Sequence, residues 1–255
     1  MRPVEEQVKQ LMANAAVVLV RPKFAENIGS AARAAMNMGV GQLIVVADEA
    51  PDRERMLRLA THNASHLVEP LCLHRTMDEA LVPFAWVIGT SARHGRKRAT
   101  AKGVSRLLGE AAPKLTANRV ALLFGPEDSG LSSEDLRRCN QVVTIPTVDF
   151  SSLNLAQAVA ILCHELHGAV IDTVAGGSTA VALPRQADQG ELAAMYGHLQ
   201  EALSAIGFLK GENDDYWMQG LRQFLGRVGL RAREIRIIRG ICRQILWREG
   251  KRGRR

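Results

Sequence analysis

At 255 residues, with 47% hydrophobic and 23% charged residues, the chain has ordinary globular composition and length for one large domain or two modest ones. That composition excludes a disordered or fibrous chain, and no uninterrupted apolar run reaches the roughly 18 residues of a membrane span. The net charge of +7 is concentrated: residues 230–255 hold ten Arg or Lys against two acids, a net +8, which leaves −1 for everything before them.

The N-terminus carries Glu5 and Glu6 where a secretory signal needs an apolar run. Four cysteines, Cys72, Cys139, Cys163 and Cys242, form no Cys-x-x-Cys. A chain this large needs no disulfide staples, so reduced thiols and a cytoplasmic location are expected. Residues 17–20 (Val-Val-Leu-Val) read as a buried parallel strand. Asn27 reads as an N-cap, a helix over 28–38 follows, and Gly39 closes it. Further strands are expected at 43–46, 84–88, 120–124 and 141–145. Helices fall between them, around 55–66, 76–81, 103–109, 132–138 and 153–172. Alternating strands and helices predict an α/β domain over 1–172 with a largely parallel sheet.

Residues 173–190 read as a linker rich in Gly, Ser and Thr, with Pro184 near its end. A helical, basic extension follows over 191–255, with helical spacing in 188–208, 214–228 and 230–247. In the last, Ile235, Ile238, Ile241 (or Cys242) and Ile245 form an apolar stripe, with arginines on the other faces. A second cationic cluster comprises Arg93, His94, Arg96, Lys97, Arg98 and Lys102. Two concentrated basic patches point to a polyanion, first of all nucleic acid.

Common nucleotide motifs are missing: the chain has neither G-x-G-x-x-G after its first strand nor G-x-x-x-x-G-K-[ST]. Cys163-His164-Glu165-Leu166-His167 spaces its histidines three apart rather than as His-Glu-x-x-His. It therefore reads as structural, as do His62 and His66, and no metal is expected. Three other segments each lie just beyond an expected strand, where open α/β sheets gather ligands. They are Asn27-Ile28-Gly29-Ser30-Ala31-Ala32-Arg33, then Phe124-Gly125-Pro126-Glu127-Asp128-Ser129-Gly130-Leu131, then Ile145-Pro146-Thr147 with residues 151–159, Ser-Ser-Leu-Asn-Leu-Ala-Gln-Ala-Val. Small residues let the first lie close to the sheet, with Arg33 interrupting an otherwise small, apolar face. Taken singly, the three are accounted for as a helix start, a turn and a capped helix.

In order, the three segments resemble the signature motifs of the SpoU/TrmH family of RNA ribose 2′-O-methyltransferases. Gly89-Thr90-Ser91-Ala92-Arg93 and the helical tail 221–245 are similar to its TrmJ branch. The resemblance spans 15–172 strongly and 188–248 more loosely. It implies a SPOUT fold, an α/β parallel sheet whose C-terminal part forms a trefoil knot. It also implies a homodimer, S-adenosylmethionine as methyl donor, and a tRNA substrate methylated at cytidine or uridine 32 of the anticodon loop.

By the same resemblance, Thr90, Ser91, Ala92, Gly125, Ile145, Ser152, Leu153 and Asn154 hold the donor. Arg33 is the family's essential arginine. Its high intrinsic pKa suits a phosphate clamp and a stabiliser of developing negative charge better than a base. Asn27, Glu127, Ser152 and Asn154 would orient it. Arg93, Arg96, Lys97, Arg98, Arg239 and Arg243 are expected to contact RNA, and the basic stretch 93–102 would enlarge that footprint. One departure is Asp128-Ser129, where many relatives place an arginine or asparagine, a change that bears on substrate choice. Two alternatives stand beside this reading, a ribosomal RNA 2′-O-methyltransferase and a non-catalytic RNA-binding protein of the same fold.

Overall fold

The computed structural model describes residues 3–68, 71–92, 103–148, 153–177 and 184–252. Side chains of 61–68, 223, 227 and 252 fall outside that description, as do residues 93–102 and Ser152. Arg93, Arg96, Lys97, Arg98, Ser152 and the side chains of His62 and His66 therefore lie outside the described residues. The chain divides into two compact units, Met1–Leu183 and Pro184–Arg255.

In the first unit six parallel strands run β1 (Ala15–Val20), β2 (Gln42–Val46), β3 (Cys72–His74), β4 (Trp86–Thr90), β5 (Val120–Phe124) and β6 (Gln141–Val143). Their spatial order is β3-β2-β1-β5-β4-β6. Every residue of β1 and β5 is buried, as expected of parallel strands covered on both faces. Side chains alternate between two cores: Val17, Leu19 and Leu122 face one, Ala16, Val18 and Leu123 the other. Helices α1 (Val4–Met12), α2 (Ala25–Asn37), α3 (Arg53–Val68), α5 (Val104–Ala111) and α7 (Leu155–Ala175) contribute to the first core. The short helices α4 (Met77–Leu81) and α6 (Ser133–Arg137) cover the second.

Several boundaries differ from the sequence reading. Helix α2 begins at Ala25, so Asn27 lies inside its first turn and is not its N-cap; Phe24 holds that position with no side-chain cap. Strand β4 is shifted to Trp86–Thr90, because Phe84 is drawn into a turn by its N–H to the Leu81 carbonyl at 3.0 Å. Strand β6 stops at Val143. α1 and β3 escaped the sequence reading. The first buries only Val8 and Met12, and the second is a three-residue edge strand whose Leu73 is 39% exposed. The expected linker over 173–190 starts inside α7 and ends in the second unit, where Gln186 bridges Arg231.

Small residues in α2 serve helix α3 more than the sheet. A Cβ on Gly29 would stand 2.0 Å from the Met56 carbonyl oxygen, so the two helices meet backbone to backbone. Gly39 takes φ +73° beyond the end of α2, as a C′ glycine should. Helix α7 is the one helix among the described residues long and apolar enough to cross a membrane by composition. It runs beside α1, α2 and α5, with Val159, Leu162, Cys163 and Leu166 fully buried.

In the second unit α8 (Gln189–Ala205), α9 (Asp214–Val228) and α10 (Ala232–Arg252) share a small core of Met195, Tyr196, Met218, Leu230 and Ile235. Asp188 caps α8 through a box with Glu191. Of the two residues offered for the α10 stripe, Cys242 is buried and Ile241 is 57% exposed.

Two stability expectations follow from this packing. Gly29→Ala must push α2 off the Met56 carbonyl and should cost about 2 kcal/mol or more, read as a lower urea midpoint; an unchanged midpoint would contradict the close approach. Burial pushes the Cys163 thiol up to about 12, so at pH 8 it is protonated and shielded. Iodoacetamide followed by mass spectrometry should label the half-buried Cys72 and Cys139 well before Cys163, which should react only on unfolding.

Candidate active site

The strand order sets β1, β5, β4 and β6 side by side, so the loops after their carboxyl ends share one edge of the sheet. From β1 the chain leaves toward β2, and from β5 it leaves past β4 toward β6. The gap between β1 and β5 is thus a topological switch point, where such sheets bind ligands. All three signature segments and Thr90-Ser91-Ala92 emerge at this edge.

Three side chains tie the three segments together. Asn27 Nδ2 donates to Glu127 Oε1 at 2.7 Å, and Asn154 Nδ2 donates to Asn27 Oδ1 at 3.1 Å. Glu127 Oε2 accepts from the Lys23 backbone N–H at 2.9 Å. A hydrogen bond to a carboxylate is stronger than one to a neutral group. The carboxylate therefore holds the Asn27 amide firmly, and because α2 already begins at Ala25, Asn27 lies past the capping position. Asn154 also works locally: its Oδ1 accepts from Ala156 N at 2.9 Å, and Gln157 Oε1 accepts from Asn154 N at 3.2 Å. This capping box fixes where α7 starts and so where Asn154 stands.

Ion pairs brace the same loops. Arg21, which takes a left-handed φ of +49° directly after β1, donates to Asp135 in α6. Lys23 Nζ donates to Asp128. That hydrogen bond holds the Asp128 carboxyl below its ordinary value. Burial raises the Asp135 carboxyl, but hydrogen bonds from Ser132 and Arg21 outweigh it, and the net direction is downward.

The expected donor-binding residues sit on adjoining loops. Thr90 Oγ1 donates to the Leu123 carbonyl at 3.0 Å, tying β4 to β5, and Ser91 N donates to the Val143 carbonyl at 3.0 Å, tying it to β6. A Cβ on Gly125 would lie 2.2 Å from the Gly130 carbonyl carbon and the Leu131 nitrogen. Only glycine lets that turn fold back on itself. Ile145 and Leu153 are half-buried, and Ala92 is exposed.

Arg33 stands apart from this network. It is exposed on α2 and makes no hydrogen bond or ion pair among the described residues, so the orienting contacts expected from Asn27, Glu127 and Asn154 are not formed. In the second unit Arg243 is exposed. Arg239 is half-buried and donates from Nε to His198 Nδ1 at 3.4 Å, which makes it part of the packing between α8 and α10. Among the described residues no group of three or more His, Cys, Asp or Glu is placed to hold a metal. The sequence reading missed Arg21 and Lys23. Their only signal was position directly after β1.

Residues 14–164 match the model of the SpoU rRNA Methylase family, and residues 190–255 that of the TrmJ tRNA methyltransferase C-terminal domain. The tRNA (cytidine/uridine/adenosine-2′-O-)-methyltransferase TrmJ of Pseudomonas aeruginosa is 36% identical over 237 residues, 88% of this chain and 91% of its own. The tRNA (cytidine/uridine-2′-O-)-methyltransferase TrmJ of Escherichia coli strain K12 is 33% identical over 241 residues, 92% and 96% of the two chains. Among solved structures, TrmJ from Z. mobilis ZM4 superposes with a TM-score of 0.72 at 31% identity, over 91% of this chain and 98% of that one. A probable methylase family protein from Haemophilus influenzae gives 0.58 at 27% identity, over 93% and 97%. Shared length, fold and the motif residues gathered at the switch point lead to one conclusion: this chain belongs to the SpoU methylase family, in the lineage that carries the TrmJ C-terminal domain.

Proposed function

We propose that this chain transfers a methyl group from S-adenosylmethionine to a ribose 2′-hydroxyl of tRNA, at the cytidine or uridine in position 32 of the anticodon loop. The observation that carries the reading is the Glu127–Asn27–Asn154 chain of hydrogen bonds, which locks all three signature segments at one sheet edge. Relatives named as tRNA 2′-O-methyltransferases, similar over nearly their full length, support the choice of tRNA over ribosomal RNA.

The residues at this edge suit the methyl donor. Thr144 Oγ1 is buried with no hydrogen-bond partner among the described residues, and a buried hydroxyl left so calls for a polar ligand. Thr90, Ser91, Ala92, Gly125, Ile145, Leu153 and Asn154 would hold the donor, with Ser152 completing the set. When bound, S-adenosylmethionine supplies a methyl group on positively charged sulfur. The chain's own residues supply position and charge. The turns after β4, β5 and β6 hold backbone groups in fixed directions, and much of the rate comes from that alignment. Arg33, exposed and uncommitted, is free to clamp a substrate phosphate and to stabilise charge developing on the ribose oxygen. No metal is needed for a methyl transfer between two organic groups.

The chain acts as a homodimer in the cytoplasm, with Arg33 of one subunit serving a site shared with the other. Support comes from the position of Arg33, exposed on α2 and bonded to none of the described residues of its own chain, so that a second copy could bring it to a donor site. The C-terminal part of the α/β unit forms the SPOUT trefoil knot, in keeping with β6 lying beyond β4 while α7 returns to pack on α1 and α2.

Tritiated methyl transfer from S-adenosylmethionine to total tRNA and total ribosomal RNA, side by side, should label tRNA, and nucleoside mapping should place the label at position 32. Label confined to ribosomal RNA would overturn the substrate. Arg33→Ala should lower the rate by about 10²- to 10³-fold. Asn27→Asp, which sets a second carboxylate against Glu127, should cost about 10²-fold through misplacement, with both variants folded by circular dichroism. Mixed dimers of Arg33→Ala and Gly125→Val subunits should regain about a quarter to half of the activity if the site is shared; no recovery in heterodimers verified by mass would refute sharing.

A further inference from the structure

Helix α10 turns its polar face outward in an ordered way. Ile235 and Cys242 are 2% and 1% exposed and fix the inner face. With about 100° between successive residues, positions 236, 240, 243, 247 and 251 fall on one line along the opposite side. Those positions are Arg236, Gly240, Arg243, Trp247 and Lys251, and all but the half-buried Gly240 are exposed. Arg233 and Arg248 flank the line and are exposed as well. The two acids of the helix lie off it: Glu234, toward the apolar edge, accepts from the Arg231 backbone N–H, and Glu249 sits half-buried on the packed side.

Trp247 is the exception in this cationic stripe. The residue is 60% exposed, although nothing about solvating an arginine-rich face calls for an indole. Lys251 Nζ lies 4.0 Å from the ring centroid, so a cation is already associated with the aromatic surface. A cationic track with an aromatic ring set into it is the chemistry that holds single-stranded nucleic acid: cations take the phosphates, and the ring takes a base. A protein partner would have to match five positive charges around one ring.

We infer that Trp247 is a stacking platform for an unpaired base of the RNA substrate, with Arg236, Arg243 and Lys251 on the flanking phosphates. The inference rests on the tRNA reading above and assigns to it a contact outside the α/β unit. Unlike the arginines, the ring contributes no counterion release, so its two signatures separate. Arg236→Gln with Arg243→Gln should make the salt dependence of binding shallower by about one to two in log–log slope. Trp247→Ala should leave the slope unchanged and weaken binding about tenfold, and Trp247→Phe should restore most of it.

The experiment is titration of unmodified tRNA transcript into wild type, Trp247→Ala, Trp247→Phe and the double arginine variant at several salt concentrations. In parallel, 5-fluorotryptophan-labelled wild type is followed by fluorine NMR, with the Trp247 resonance assigned by its loss in Trp247→Phe. The expected result is a shift of that resonance on adding tRNA and the tenfold loss in Trp247→Ala. The NMR arm needs no destabilising variant, so a misfolded alanine mutant leaves the test intact. Wild-type binding of tRNA with an unmoved Trp247 resonance and an unaffected Trp247→Ala overturns the platform while sparing the tRNA reading. Absence of wild-type binding sinks both. A change in self-association in Trp247→Ala, without a change in RNA affinity, would give the face to a second copy and overturn the inference.

Discussion

Asn27 stands 100 residues from Glu127 and 127 from Asn154 in sequence, and the hydrogen bonds of the three close only if three separate segments arrive at one point. Each member is also committed elsewhere. Glu127 takes the Lys23 N–H, Asn27 sits inside the first turn of α2, and Asn154 caps α7. The chain of bonds therefore ties the start of two helices to the end of β5. A disturbance in any one of them moves the other two, which is how a hydrogen-bonded polar network converts local geometry into a specified site.

The parallel sheet makes that convergence possible. Its order puts the carboxyl ends of β1, β5, β4 and β6 next to one another, and two glycines remove the atoms that would keep the loops apart. Gly29 lets α2 meet α3 at the Met56 carbonyl, and Gly125 lets the turn after β5 fold onto residues 130 and 131. Around them, Arg21 and Lys23 reach across to Asp135 and Asp128. The partners' exposure differs, with Asp135 at 7% and Asp128 at 55%. Arg21–Asp135 is accordingly the pair with structural weight, while Lys23–Asp128 is screened by solvent.

Charge is divided between the two units in keeping with a substrate larger than the site. The α/β unit positions the chemistry with a nearly neutral sequence. The helical unit concentrates its cations on the outer line of α10, away from the buried Ile235 and Cys242. Attraction for a polyanion and alignment of a reactive hydroxyl have different ranges. Coulombic attraction acts over about a Debye length, whereas methyl transfer demands placement to a fraction of an ångström. Separate parts of the chain can therefore serve each.

By itself the sequence determined the α/β class, five of the six strands of the sheet and three helices after residue 184, because apolar runs and helical periodicity are local properties. It also marked the segments around Asn27, Glu127 and Asn154, whose residue types at fixed spacing are a family signature. The small edge strand β3 and the helix α1 left no such mark, since each buries too little apolar surface to set a pattern. Only tertiary structure decided that Asn27 sits inside the first turn of α2 and bonds Glu127, that Gly29 faces a helix carbonyl, and that Cys242 displaces Ile241 from the α10 core. It also decided that Arg239 packs against His198 while Arg243 and Trp247 face outward. In each case the deciding partner lies far away in sequence, and a periodic pattern carries no information about which distant group will offer the better bond or the tighter fit.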